Sequence, residues 1–184
     1  IDTGLMMKNL ITLVQSMGVD IRTGCEVMAF EEHNHEVALR CRNPLGAEDV
    51  HFTGQHLFIC NNAFAKTLLT EADVTPGRGQ VLITHPIPDL PFSGIFHFDQ
   101  GYYYFREYQG RVLFGGGRNK DFSTETTTEL ALNENIQQEL LHRLHTIILP
   151  GREFAIDMQW SGIMAFGKTK KPILYAHSDR VSVG

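Results

Sequence analysis

The chain has 184 residues, of which 42% are apolar and 20% charged; this is the balance of an ordinary globular domain and excludes a disordered tail, a collagen-like fibre and a disulfide-stapled miniprotein. Its 16 basic and 21 acidic residues leave a net charge of −5, which argues against a nucleic-acid partner. No apolar run approaches the roughly 18 residues of a membrane span, no signal peptide is visible, and the cysteines Cys25, Cys41 and Cys60 form no C-x-x-C, so a reducing, cytoplasmic compartment is expected and a zinc site is not.

Leu5, Met6, Leu10, Leu13, Val14 and Met17 share one helical face and Gly18 follows as a C′ residue, which predicts a helix over 3–17. A short apolar run at 27–30 precedes Val37, Leu39 and Cys41, which alternate as a half-buried strand. Asn43-Pro44-Leu45-Gly46 is a turn, and Val50 and Phe52 open the return strand of a hairpin. The continuous apolar run at 56–60 predicts a strand buried on both faces of a parallel sheet, followed by a short helix over 63–69. This first part reads as α/β.

The pattern changes at Pro76-Gly77-Arg78-Gly79, where a sharp turn is expected. Strands are predicted over 80–85, 94–98, 102–108 and 111–115, forming an antiparallel meander. Thr126-Thr127-Thr128-Glu129 looks like a capping box, Ile136, Leu140, Leu144, Ile147 and Ile148 form an apolar stripe, and Pro150 ends that long helix. Strands follow at 154–160, 173–176 and 181–183. Strand alternation puts Tyr102, Tyr104 and Arg106 on one face and Tyr103 and Phe105 on the other. The spacing of the nine histidines offers no metal site: His142 and His145 share a helix face without a third ligand, and His33 and His35 flank Asn34 in a polar turn.

Taken in order, five stretches resemble the D-amino-acid oxidase and glycine oxidase-like family of FAD-dependent oxidoreductases. They are Gly18-Val19-Asp20-Ile21 with Thr23-Gly24-Cys25-Glu26-Val27; Cys60-Asn61-Asn62-Ala63-Phe64; Val74-Thr75-Pro76-Gly77-Arg78-Gly79-Gln80; Gly101 to Arg106 with Arg111 to Gly117; and Trp160 to Phe166 with Lys171-Pro172-Ile173. The resemblance implies that Val27 lies beside the adenine of FAD and that Cys60, Asn61 and Asn62 form a turn near the pyrophosphate. Asn62 stands where the family has glycine, and asparagine tolerates the positive φ such a turn needs. The resemblance further implies a substrate pocket lined by Tyr102, Tyr104, Arg106 and Met164, with the backbone of Gly162 and Ile163 nearest the flavin. Met164 replaces the arginine that holds the substrate carboxylate in the amino-acid oxidases. A thioether cannot do this, which moves the chain toward the γ-glutamylputrescine oxidoreductase-like branch, unless another arginine such as Arg118 or Arg106 substitutes. Lys168, Lys170 and Lys171 are either a solvated loop or, by the resemblance, a positive charge near the reduced flavin.

The family's Gly-x-Gly-x-x-Gly, which cradles the pyrophosphate at a helix N-terminus, is missing from the sequence. The chain opens on Ile1 and closes on an apolar alternation at Gly184, so it is expected to be an internal fragment that alone is inactive and carries no FAD. The expected fold class is α+β: a remnant of an α/β FAD-binding domain at 1–75, a substrate-binding domain with a mixed, largely antiparallel sheet and a long helix at 76–166, and return strands at 167–184. The implied function is oxidation of a C–N bond in a small amine or amino-acid-like substrate by hydride transfer to FAD. Two alternatives stand beside it: a non-catalytic interaction module, and one half of a composite flavin site.

Overall fold

The computed structural model describes residues 2–46, 48–169 and 171–184. The chain divides into two compact units, Ile1–Cys60 with Ile173–Gly184, and Asn61–Pro172. The division therefore falls at 60/61 and 172/173, where the composition change and the motifs suggest 75/76 and 166/167. The mixed α and β content with predominantly antiparallel sheets agrees with the expected class. No helix among the described residues is long and apolar enough to cross a membrane.

The first unit begins with α1 (Thr3–Ser16), whose N-cap Asp2 accepts a hydrogen bond from the Leu5 backbone N–H at 2.9 Å. Its apolar face is the one the periodicity predicts, yet the helix buries no residue. Strands β1 (Glu26–Glu32), β2 (Val37–Arg42) and β3 (Val50–Gly54) form an antiparallel sheet in that order. Strand β4 (Leu57–Ile59) pairs in parallel with the distant strand β11 (Val181–Val183), which pairs on its other side with β10 (Tyr175–Ala176). The parallel pairing is as expected, but burial on both faces is not: Ile59 is buried while Phe58, on the opposite side of the pleat, is 71% exposed. Arg180 joins the two sheets by donating to the carbonyl oxygens of Asn34 and Gln55.

The second unit is a five-stranded sheet backed by a helix. Strands β5 (Thr75–Thr84), β6 (Ile95–Phe98), β7 (Tyr103–Tyr108), β8 (Arg111–Gly116) and β9 (Ile156–Phe166) lie in the order β6-β7-β8-β5-β9 with every pair antiparallel. Helix α2 (Glu134–Arg143) continues into a π-helical turn, Leu144–Ile148. Ile136, Leu140 and Leu144 project from it onto Leu82, Tyr103, Val112 and Phe114, all fully buried. Tyr103 and Phe105 therefore face the helix, and Tyr104 and Arg106 face the other way.

Two expectations fail here for local reasons. Pro76-Gly77-Arg78-Gly79 is the start of β5 rather than a turn; β8 flanks β5 only from Gln80 onward, so Pro76 lies where one side of the strand has no ladder to break. The capping box at Thr126 does not start α2. Thr126 Oγ1 donates to the Phe122 carbonyl and Thr127 Oγ1 accepts from the Glu129 N–H, while Asn133 caps the helix seven residues later by accepting from Ile136 N–H at 3.3 Å. The remaining differences are of extent: β7 starts at Tyr103, β9 runs on to Phe166, and the short helix after β4 is a 3-10 turn, Asn62–Thr67.

Candidate active site

In the second unit, the two faces of β5 carry opposite chemistry. Toward α2 point Arg78, Gln80, Leu82 and Thr84, all buried. Arg78 donates to Glu125 through Nη2 at 2.7 Å and Nε at 3.1 Å, and Gln80 and Asn133 donate to the same carboxylate at 3.0 and 2.9 Å. Burial pushes the Glu125 carboxyl up, but these hydrogen bonds and the Arg78 charge outweigh it and hold it below the usual carboxylate range. Gln137 extends the network by donating to Gln80 at 3.2 Å. Glu125 thus pins the β8–α2 connection beneath the sheet.

The face turned away from α2 is rich in glycine along β5 and its neighbours. Gly77, Gly79 and Val81 stand opposite Met164, Gly162 and Trp160. A Cβ on Gly162 would meet nothing within 4 Å, and one on Gly79 would lie 3.0 Å from Met164 Cε. One on Gly77 would collide with the Phe166 ring and come 2.8 Å from Arg118 Cζ, so the absence of a side chain there is what lets the ring and the guanidinium lie against the strand. Gly115, opposite Tyr104, lies directly under the Tyr104 hydroxyl. Burial raises the pKa of that phenol, opposed by the nearby Arg106 charge. On this face Gly77 is covered by Phe166 and Arg118, Gly79 lies against Met164 Cε and Gly115 under Tyr104, while Gly162 is open.

Arg118 reaches this face because Gly116 and Gly117 turn the chain back at φ 127° and 77°. At Gly116 a Cβ would strike the Tyr102 and Tyr103 backbone, which cannot yield. The Arg118 guanidinium carbon lies 4.4 Å from the Phe166 ring centroid and 5.0 Å from that of Phe122. Phe122 in turn meets Tyr102 edge to face at 6.2 Å. Burial lowers the Arg118 pKa, against the pull of Glu125 and Tyr102.

The sequence-derived site residues distribute as follows. Tyr102, Tyr104, Met164 and Gly162 edge or pave the glycine-rich face, and Arg106 shares it with its guanidinium over the Tyr108 ring at 5.6 Å. Ile163 stands opposite Arg78, so its side chain points to the other face. In the same unit Asn62 adopts φ 51°, and Asn61 donates through Nδ2 to the Phe64 carbonyl at 3.0 Å while its buried Oδ1 has no partner. Val27, half-buried at an irregularity of β1, and the exposed Cys60 belong to the first unit. Lys168 is exposed and 3.5 Å from Asp73, Lys171 is exposed, and Lys170 lies outside the described residues. Sequence reading named Arg118 only as a substitute, and it missed Phe122, Phe166 and the strip of glycines. The alternation of Gly77, Gly79 and Val81 was the available signal, hidden by the expectation of a turn.

The second unit thus holds a glycine-rich sheet face, one orphaned buried side-chain carbonyl at a left-handed turn, and an aromatic-flanked cation. The family model described as "FAD dependent oxidoreductase" matches residues 1–183, and the chain belongs to this family. Among solved structures, the chain is similar to glycine oxidase from Geobacillus kaustophilus (TM-score 0.75, 21% identity, covering 92% of this chain and 45% of that one). Iminodiacetate oxidase from Chelativorans sp. BNC1 follows at TM-score 0.74 and 17% identity over 100% of this chain and 48% of that one. L-proline dehydrogenase from P. horikoshii matches at TM-score 0.69 and 17% identity over 92% and 46%. The chain thus spans less than half the length of these structures, and at such identities the likeness is one of fold. No curated protein matches the chain.

Proposed function

We propose that the chain supplies the substrate-binding face of an FAD-dependent enzyme that oxidises the C–N bond of a small amine or amino-acid-like substrate. The observation that carries this reading is the sheet face on which Gly79 stands beside the open Gly162, with Met164 and Tyr104 on the same face. When bound, FAD supplies the hydride acceptor. This chain's own residues hold the substrate. The Gly79 and Gly162 backbone leaves room for a planar ring, the Met164 side chain closes one edge against water, and the Tyr104 hydroxyl closes another. With its pKa raised, the phenol stays protonated at neutral pH and serves as a hydrogen-bond donor. Asn61 Oδ1 is an acceptor free to meet a donor of the cofactor. In this reading the substrate lacks a carboxylate next to its amine, because Met164 offers no charge where the family has arginine.

The test is anaerobic mixing of the flavin-loaded protein with a panel of amines and 2-amino acids while the flavin absorbance is followed. Bleaching by amines is the expected result; a flavin that stays oxidised throughout the panel would overturn the reading. Met164→Arg is expected to shift the preference toward 2-amino acids by tenfold or more, roughly the worth of a charge-assisted hydrogen bond. An unchanged preference would remove Met164 from the pocket.

A further inference from the structure

We infer that the body of the substrate is apolar and uncharged: an alkyl- or arylamine whose chain lies on the band formed by Tyr104, Val81 and Trp160, next to Gly162. The inference rests on the C–N oxidation reading and gives it a substrate class. The ladder sets the layout. Gly79 and Gly162 stand opposite each other, and the next rung on the same face is Tyr104–Gly115–Val81–Trp160, one residue from each of four strands. Because Gly115 has no side chain, the Tyr104 phenol reaches over β8 with its hydroxyl above that glycine. Trp160, half-buried, flanks Val81 from β9. One rung further, Leu113 and Ile83 continue the band, and Met158, 57% exposed, forms its rim. Rungs two residues apart are separated by roughly 7 Å, about the reach of a six-carbon chain.

The charges on the sheet exclude the other kinds of body. Among the described residues, the five strands carry two carboxylates, Glu107 and Asp157. Glu107 alternates with Tyr103 and Phe105, which places it on the α2 side, where it accepts from the Gly110 N–H. Asp157 is held by Arg111 and approached by His85 at 3.7 Å. A second ammonium at the far end of the substrate therefore meets no open carboxylate on this face, and setting it on Val81 and Trp160 would strip its water without compensation. The cations of the face sit at the end remote from Gly162: Arg111 on Asp157, and Arg106 over the Tyr108 ring beside the β7–β8 turn. They repel an ammonium, so the amine end of the substrate points to the glycines and the apolar end to Met158.

Trp160 is the only tryptophan in the chain, so its fluorescence reports this rung alone. Hexylamine is expected to shift the emission to the blue, saturably, as the alkyl chain displaces water from the indole. Ethylamine lacks four of its methylenes, and 1,6-diaminohexane and 6-aminohexanoate carry a second charge on the same chain; each should bind about tenfold or more weakly. Met158→Ser should weaken hexylamine about threefold at an unchanged melting temperature. Emission that hexylamine leaves unmoved, equal affinity for ethylamine or for either doubly charged chain, or undiminished binding in a folded M158S protein would each overturn the inference. If M158S does not fold, the wild-type series decides alone. A protein that binds hexylamine at Trp160, but whose loaded flavin no amine bleaches, keeps the apolar band as a binding surface and loses the C–N reading. One whose flavin bleaches as readily with ethylamine or the diamine as with hexylamine keeps the reading and loses the inference.

Discussion

The two units of this chain solve the burial problem to very different degrees. In Asn61–Pro172 a helix and a five-stranded sheet enclose Leu82, Tyr103, Val112, Phe114, Ile136, Leu140 and Leu144 at 0% exposure. In the other unit, a fourteen-residue helix with a regular apolar face leaves Leu5, Met6, Leu10 and Leu13 about half exposed, although hydrogen bonds cap both its ends. The same periodicity yields a core helix in one case and a bare amphipathic helix in the other. Periodicity records which face a helix can bury; only tertiary contact decides whether it does.

Substitutions can break or sharpen that contrast. The largest effect belongs to Glu125→Ala, which leaves the buried Arg78 guanidinium without its carboxylate; about 3–5 kcal/mol of stability should be lost, read as a lower urea midpoint. Leu140→Ala opens a cavity beneath the sheet and should cost about 2–4 kcal/mol in the same assay, with the m-value unchanged. Asp121 gives a smaller effect confined to acid. Hydrogen bonds from Thr124, then Ser123 and Asn133, hold its carboxyl near 2 against an ordinary 3.8. Because the folded-state value is the lower one, the stability it lends is complete above about pH 4 and is lost as the pH falls toward 2. Asp121→Asn should flatten that part of the pH–stability curve. At the bottom, Leu10→Ala should change the urea midpoint by the equivalent of no more than about 0.5 kcal/mol, as for an exposed helical position. A cost matching that of Leu140→Ala would abolish the contrast between the units.

Much of the fold was legible. The alternation of Val37, Leu39 and Cys41, the hairpin turn at Asn43–Gly46, the β7–β8 meander and the stripe on α2 are local patterns, and the structure contains each of them. What stayed hidden depends on distant partners. Pro76-Gly77-Arg78-Gly79 carries every local mark of a turn and becomes a strand because β9 pairs along its whole length. Thr126 to Glu129 carries a helix-start signature that loses to nearby backbone bonds. Glu125 sits in a polar, aperiodic stretch, and nothing near it announces a partner 47 residues earlier in the chain. Of the candidate site, strand alternation anticipates that Tyr104, Met164 and Gly162 share a sheet face. The run of glycines on that face was not legible, since Gly79 stands beside Gly162 only once β5 and β9 pair. Arg118 reaches that face only because the two glycines before it turn the connection back.

The parallel pairing of β4 with β11 has a consequence for the order of events during synthesis. Leu57 pairs with Val181, 124 residues later (181 − 57), so β4 leaves the ribosome long before the strand that completes its edge. At about 5–20 residues per second the delay is on the order of ten seconds. All the strands of the second unit, down to Phe166, are made within that interval and ahead of β11. Until β11 emerges, Leu57, Phe58 and Ile59 form an apolar segment without its sheet partner, and the nascent chain is exposed to mispairing there.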